Sequence, residues 1–159
     1  MAGIAGILSE GKHALVSAML ETIAHRGRHA RVVLAPKGAT IGMVFGKHEE
    51  SGLKQKLKRD IFLDGPGFGQ MAEVFRPNGN WKILRDELGA VPMYFGYTED
   101  DDLCFASEVK ALAGISRRIH EVPPGSVIIG GRKKRYFDLK AVPAERRDPV
   151  TARELLNVL

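Results

Sequence analysis

Few side chains in this sequence have the type and spacing to do chemistry, and the spacing restricts what that chemistry is. Cys104 is the one thiol of the chain. It sits in the apolar run Leu103-Cys104-Phe105-Ala106, where a thiol packs as a small hydrophobe, so it reads as a core residue and not as a nucleophile. A single cysteine allows no internal disulfide and no cysteine-rich zinc site. His25, His29 and His48 are too scattered for a metal centre, and isolated histidines are more often structural. Asp86, within Arg85-Asp86-Glu87-Leu88-Gly89, has no second acid at a spacing suited to a general acid–base pair. It reads as the anchor of a turn.

Positive charge is the other chemical resource. The formal net charge is +5 at pH 7, concentrated in Lys54–Arg59 (KQKLKR), Arg117-Arg118 and Gly131–Phe137 (GRKKRYF). Such clusters can hold phosphate through counterion release. No nucleic-acid signature accompanies them, which favours solvated faces. A stand-alone basic module for a nucleotide or RNA stays open as an alternative reading.

The elements that must position these residues follow from pattern. Gly3-Ile4-Ala5-Gly6-Ile7-Leu8 is short, apolar and glycine-rich, as befits a strand buried on both faces. Leu15, Val16, Met19, Leu20 and Ile23 form a stripe at helical spacing, and Gly27 is placed as its C-terminal cap. Two β-rich runs between Arg31 and Gly46 join at Pro36-Lys37-Gly38; Lys47–Asp60 reads as a polar loop with one helical turn. Asn78-Gly79 supplies the positive φ angles of a tight hairpin. Strands are predicted around Tyr94–Thr98 and Leu103–Ser107, with Tyr94, Phe95, Tyr97 and Phe105 as strand-core aromatics. A helix capped by Ser107 runs to Gly114, and a strand pair turns at Gly130-Gly131. Asp148-Pro149 and a Thr151-to-Glu154 capping box start a tail helix. Its Leu155, Leu156, Val158 and Leu159 need a surface to pack on. The class is α+β with largely antiparallel sheets. At 44% hydrophobic and 27% charged residues the composition is that of a globular protein. No apolar run is long enough to span a bilayer, and no signal-peptide pattern opens the chain. The expected location is cytoplasmic.

Three blocks, in order, add a family. Ala2-Gly3-Ile4-Ala5-Gly6 is followed by His25-Arg26-Gly27-Arg28-His29, then by Arg85–Leu112 (RDELGAVPMYFGYTEDDDLCFASEVKAL) running on to Val127. Together they resemble the glutaminase domain of class II, Ntn-type glutamine amidotransferases, and within that class the N-terminal domain of asparagine synthetases. The resemblance implies a four-layer αββα sandwich, shortened in the middle. It also implies a chemistry: an N-terminal cysteine attacks the glutamine amide, its own α-amine serving as base. An Asn-Gly pair forms the oxyanion hole, and an arginine and an aspartate hold the substrate.

Carried over by position, the nucleophile falls on Ala2, a vacant site. Arg26 and Gly27 match the Arg-Gly beside the N-terminal residue, so they are the candidate remnant of the substrate pocket. Arg28 and His29 replace the family's Pro-Asp. The interval from Gly27 to Arg85 is short and lacks both the Asn-Gly-Glu-Ile-Tyr-Asn loop and the His-x-Arg-Leu motif; Asn78-Gly79 suits a hairpin instead. Glu108 and Lys110 read as structural or as facing a partner domain.

The joint losses imply a catalytically inactive domain, a structural and regulatory module for an ATP-dependent ligase. The alternative is an active glutaminase whose cysteine has been substituted by alanine. Residues 1–147 are expected to form the glutaminase-like domain. Residues 148–159 would begin a linker helix or a following synthetase-type domain. The implied partner is a synthetase (ATP-pyrophosphatase) domain or subunit, with a homo-oligomer possible, no membrane, and nucleic acid disfavoured. No cofactor is expected for this domain; ATP and magnesium belong to the partner.

Overall fold

The computed structural model describes residues 2–47, 61–64 and 72–138; the predicted loop beyond Lys47, His48, the KQKLKR run and the tail helix lie outside them. In chain order the elements are β1 (Gly3–Ile7), α1 (His13–Thr22), a 3-10 turn at Ala24–Arg26, β2 (Ala30–Leu34), β3 (Thr40–Phe45), β4 (Ile61–Asp64), β5 (Ala72–Phe75) and β6 (Lys82–Arg85). They continue with β7 (Tyr94–Tyr97), β8 (Leu103–Ala106), α2 (Val109–Leu112), β9 (Ile119–Glu121), β10 (Ser126–Ile129) and β11 (Arg132–Arg135).

The strands form two antiparallel sheets, ordered β2-β3-β1-β8-β7-β9 and β11-β10-β6-β5-β4. β1 lies inside the first sheet, with Ala5 opposite Gly42 of β3 and Ala106 of β8. Strand alternation sends Ala2 and Ile4 into the core shared with Ile83, Val74 and Ile128 of the second sheet. Ala5 and Ile7 turn the other way, onto Val16, Leu20 and Leu112 of the helices. Both isoleucines are fully buried, each worth about 1.5–3 kcal/mol of apolar transfer. A strand covered on both faces can therefore carry no polar residue, which is why the opening sequence is uniformly apolar or small.

The class is α+β with face-to-face antiparallel sheets, the Ntn-hydrolase-like arrangement that the resemblance implies. Among the described residues α1 and α2 both pack on the outer face of the first sheet. Close approach explains one glycine directly: a β-carbon at Gly42 would stand 2.5 Å from Leu20 Cδ1, so its absence lets α1 settle onto β3. The hairpin at Asn78-Gly79 forms with φ of 54° and 84°, and β10 and β11 turn at Gly130-Gly131 as predicted.

Several local readings need correction. α1 ends at Thr22 and gives way to the 3-10 turn, so Gly27 does not cap it. Leu15, counted on the apolar stripe, is exposed, as is Tyr97 among the strand-core aromatics. Tyr97 is the last residue of its strand and its side chain is exposed. Ser107 is not a helix cap, because α2 begins two residues later without a side-chain cap and the hydroxyl is committed to β1, as shown below.

Candidate functional site

Ala2 enters β1 with its methyl group buried in the inter-sheet core. A methyl group has neither a lone pair nor an acidic proton, so it can supply no covalent or acid–base step. The strand beyond it is fixed by Ser107. The Ile4 N–H donates to Ser107 Oγ at 2.9 Å, the Ser107 N–H donates to the Ile4 carbonyl at 2.9 Å, and the hydroxyl donates to the same carbonyl at 3.3 Å.

Arg26, delivered by the 3-10 turn, reaches the same end of β1. Its Nε donates to the Ala2 carbonyl at 2.9 Å. The arginine stem runs over Gly3, where a β-carbon would lie 3.1 Å from Arg26 Cδ. Gly27 has extended backbone, with φ −153°, so its glycine is demanded by space rather than by conformation. A β-carbon there would stand 2.1 Å from the backbone nitrogen of Phe45. The structure thus brings Ala2 and Arg26 into contact and presses Gly27 against β3.

Glu108 closes this cluster. His25 Nε2 lies 2.9 Å and Arg26 Nη1 3.4 Å from Oε1, while Lys110 Nζ lies 3.2 Å from Oε2. Burial opposes the charge on Glu108, but Lys110, His25 and Arg26 outweigh it and hold the carboxyl below its ordinary value. Lys110 also approaches His25 Nδ1 at 3.3 Å. Sequence reading saw these groups separately; Arg26 and Glu108 are 82 positions apart, and no local pattern joins them. The signal available was that both fall within blocks of the same resemblance.

Asp86 has a different setting. Its Oδ1 accepts the N–H groups of Leu88 and Ala90 at 3.1 and 3.0 Å, and Oδ2 accepts that of Val91 at 3.2 Å. Its neighbour Arg85 donates to the carbonyls of Val91, Val122 and Gly89, each at 2.9 Å, and pairs with Glu121. Asp86 is the turn anchor its sequence suggested. Cys104 is fully buried, and burial pushes its thiol up to about 11. Among the described residues no group of three or more His, Cys, Asp and Glu side chains could hold a metal ion, and no helix is long and apolar enough to cross a membrane.

No protein-family model matches the chain. Asparagine synthetase B [glutamine-hydrolyzing] of Escherichia coli (strain K12) is 50% identical over 82 residues, covering 47% of this chain and 15% of that protein. Asparagine synthetase [glutamine-hydrolyzing] 2 of Arabidopsis thaliana is 27% identical over 128 residues, covering 64% of this chain and 22% of that protein. This chain therefore spans less than a quarter of the length of the curated relatives it matches. A solved structure of glutamine phosphoribosylpyrophosphate amidotransferase from B. subtilis, complexed with ADP and GMP, superposes with a TM-score of 0.62 at 17% identity, over 85% of this chain and 49% of that one. At that identity the likeness speaks for the fold. The chain is accordingly related in sequence to the glutamine-hydrolysing asparagine synthetases and has the fold of a class II glutamine amidotransferase domain.

Proposed function

We propose that the chain is a catalytically inactive glutaminase-type domain that serves a synthetase partner as a structural and regulatory module. The observation that carries this reading is the start of β1. The side chain at the nucleophile position is a buried methyl group, and the adjacent arginine is already bonded to the Ala2 carbonyl. The sequence supports the same reading, since it lacks the oxyanion loop and the substrate-arginine motif of the family. Loss of a single oxyanion donor costs roughly 10²–10³ in rate, so restoring a thiol leaves most of the barrier in place. In this reading Arg26 and Gly27 are the remnant of a substrate pocket, retained for packing. The domain comprises residues 1–147, and 148–159 lead towards the partner, with Leu155, Leu156 and Leu159 as contacts. ATP and magnesium are used by the partner.

The test is Ala2→Cys, with the initiator methionine removed, in an assay of glutamate formation from glutamine. Neither the parent nor the variant is expected to release glutamate above background. Substantial turnover by the variant would overturn the reading and establish an oxyanion hole elsewhere in the chain.

A further inference from the structure

Beside the vacant site, where the 3-10 turn passes the β2–β3 edge, lies a groove of about 570 Å³ lined by His25, Gly27, Arg28, His29, Arg31 and Val44. We propose that this groove is a binding site for a small phosphate-type oxyanion, of the class represented by a diphosphate group. The sequence of its wall is the stretch in which Arg28 and His29 stand in place of the family's Pro-Asp. An acid has given way to bases, and no acidic side chain is among the described residues lining the groove. Arg28, Arg31, His25 and His29 line the groove and the rest of its lining is small or apolar; of these, His25 is already 2.9 Å from Glu108.

The cations differ in how far they are already engaged. Arg31 pairs with Glu21 at 3.1 Å, but the two side chains are 56% and 65% exposed. An ion pair that open to water is worth at most about 1 kcal/mol, so a dianion can compete for Arg31. Among the described residues no acidic side chain pairs with Arg28, while its backbone is held by a bridge to Phe45. The His29 N–H donates to the Phe45 carbonyl at 3.3 Å. The guanidinium thus springs from a fixed base, which reduces the entropy lost on binding. Planar guanidinium forks match the paired oxygens of phosphate. This inference is separate from the inactivity of the glutaminase site: the groove is charged whether or not glutamine is hydrolysed.

Titration calorimetry of the 159-residue chain with inorganic pyrophosphate at low salt tests it, with citrate as a carboxylate probe of comparable charge. Saturable pyrophosphate binding is expected, weakened about tenfold or more by Arg28→Ala and by Arg31→Ala. Arg28→Lys keeps the charge without the fork and is expected to fall between, which guards against an alanine variant that misfolds. Lys133→Ala with Lys134→Ala removes twice the positive charge of either single variant from the distant strand β11 and is expected to leave affinity within about twofold. Absence of saturable binding, an equal loss in the β11 variant, or wild-type affinity in folded Arg28→Ala would overturn the proposal. Citrate binding as tightly as pyrophosphate would overturn the assignment to phosphate.

Discussion

Arg26 and Arg85 have nearly the same burial, with side chains 10% and 8% exposed, yet they are held very differently. Arg85 reaches three backbone carbonyls and a glutamate. Its neighbour Asp86 binds three amide groups, and Tyr136 Oη donates to the Arg85 carbonyl at 2.8 Å. Most of these bonds fix the backbone of the turn. Arg26 donates to the Ala2 carbonyl and approaches the Glu108 carboxylate that His25 and Lys110 also reach. The first region is built as an anchor. The second ties β1 to the 3-10 turn and to the residues before α2 through one shared carboxylate.

The contrast can be broken by mutation, and the largest effect is expected at the anchor. Asp86→Ala removes the acceptor of three amide groups and leaves those donors unpaired, an expected cost of about 3–5 kcal/mol. Urea denaturation measures it. Arg26→Met keeps most of the stem that lies over Gly3 and loses the bond to the Ala2 carbonyl, with an expected cost of about 1–3 kcal/mol. If the two variants lose equal stability, the two regions do not differ as described.

A smaller effect sharpens the comparison through pH. The folded Glu108 carboxyl is held below its ordinary value of 4.5. Its contribution is therefore fully present above the unfolded value and is lost as pH falls through the folded one. Glu108→Gln is expected to cost about 0.5–1 kcal/mol at pH 6, and the difference from the parent should vanish in strong acid. A cost that persists unchanged below that range would mean the side chain matters for packing and not for charge. The least effect on stability comes from chemistry at Cys104. With its thiol pushed up to about 11 by burial, it should resist a thiol reagent at pH 8 until denaturant is added. Rapid labelling of the native chain would show that the sheet under α2 opens readily.

What was legible in the sequence follows from how local its cause was. The double burial of β1 was readable because neither face tolerates a polar residue, and the hairpin at Asn78-Gly79 because two adjacent positive φ angles favour few residues. Asp86 was readable as a turn anchor because its bonds reach only two to five residues ahead. Gly27 was misread because a glycine needed for close approach and one needed for a left-handed cap are the same letter. Ser107 was misread because its partner, Ile4, lies 103 positions away. The His25–Arg26–Glu108–Lys110 cluster was missed for the same reason, and the strand at Ile119–Glu121 because one half-buried and two exposed residues carry no periodicity.

The seat of β1 between β3 and β8 has a consequence for synthesis. Ile4 and Ser107 are 103 positions apart, so β1 leaves the ribosome well before one of its two partner strands. At roughly 5–20 residues per second, its second edge stays without a partner for about 5–20 s. During that wait an apolar, two-sided strand is available to any neighbouring chain, and contacts of such long range also slow the folding search. The nascent β1 segment is therefore a natural client for chaperones that shield apolar strands on the ribosome.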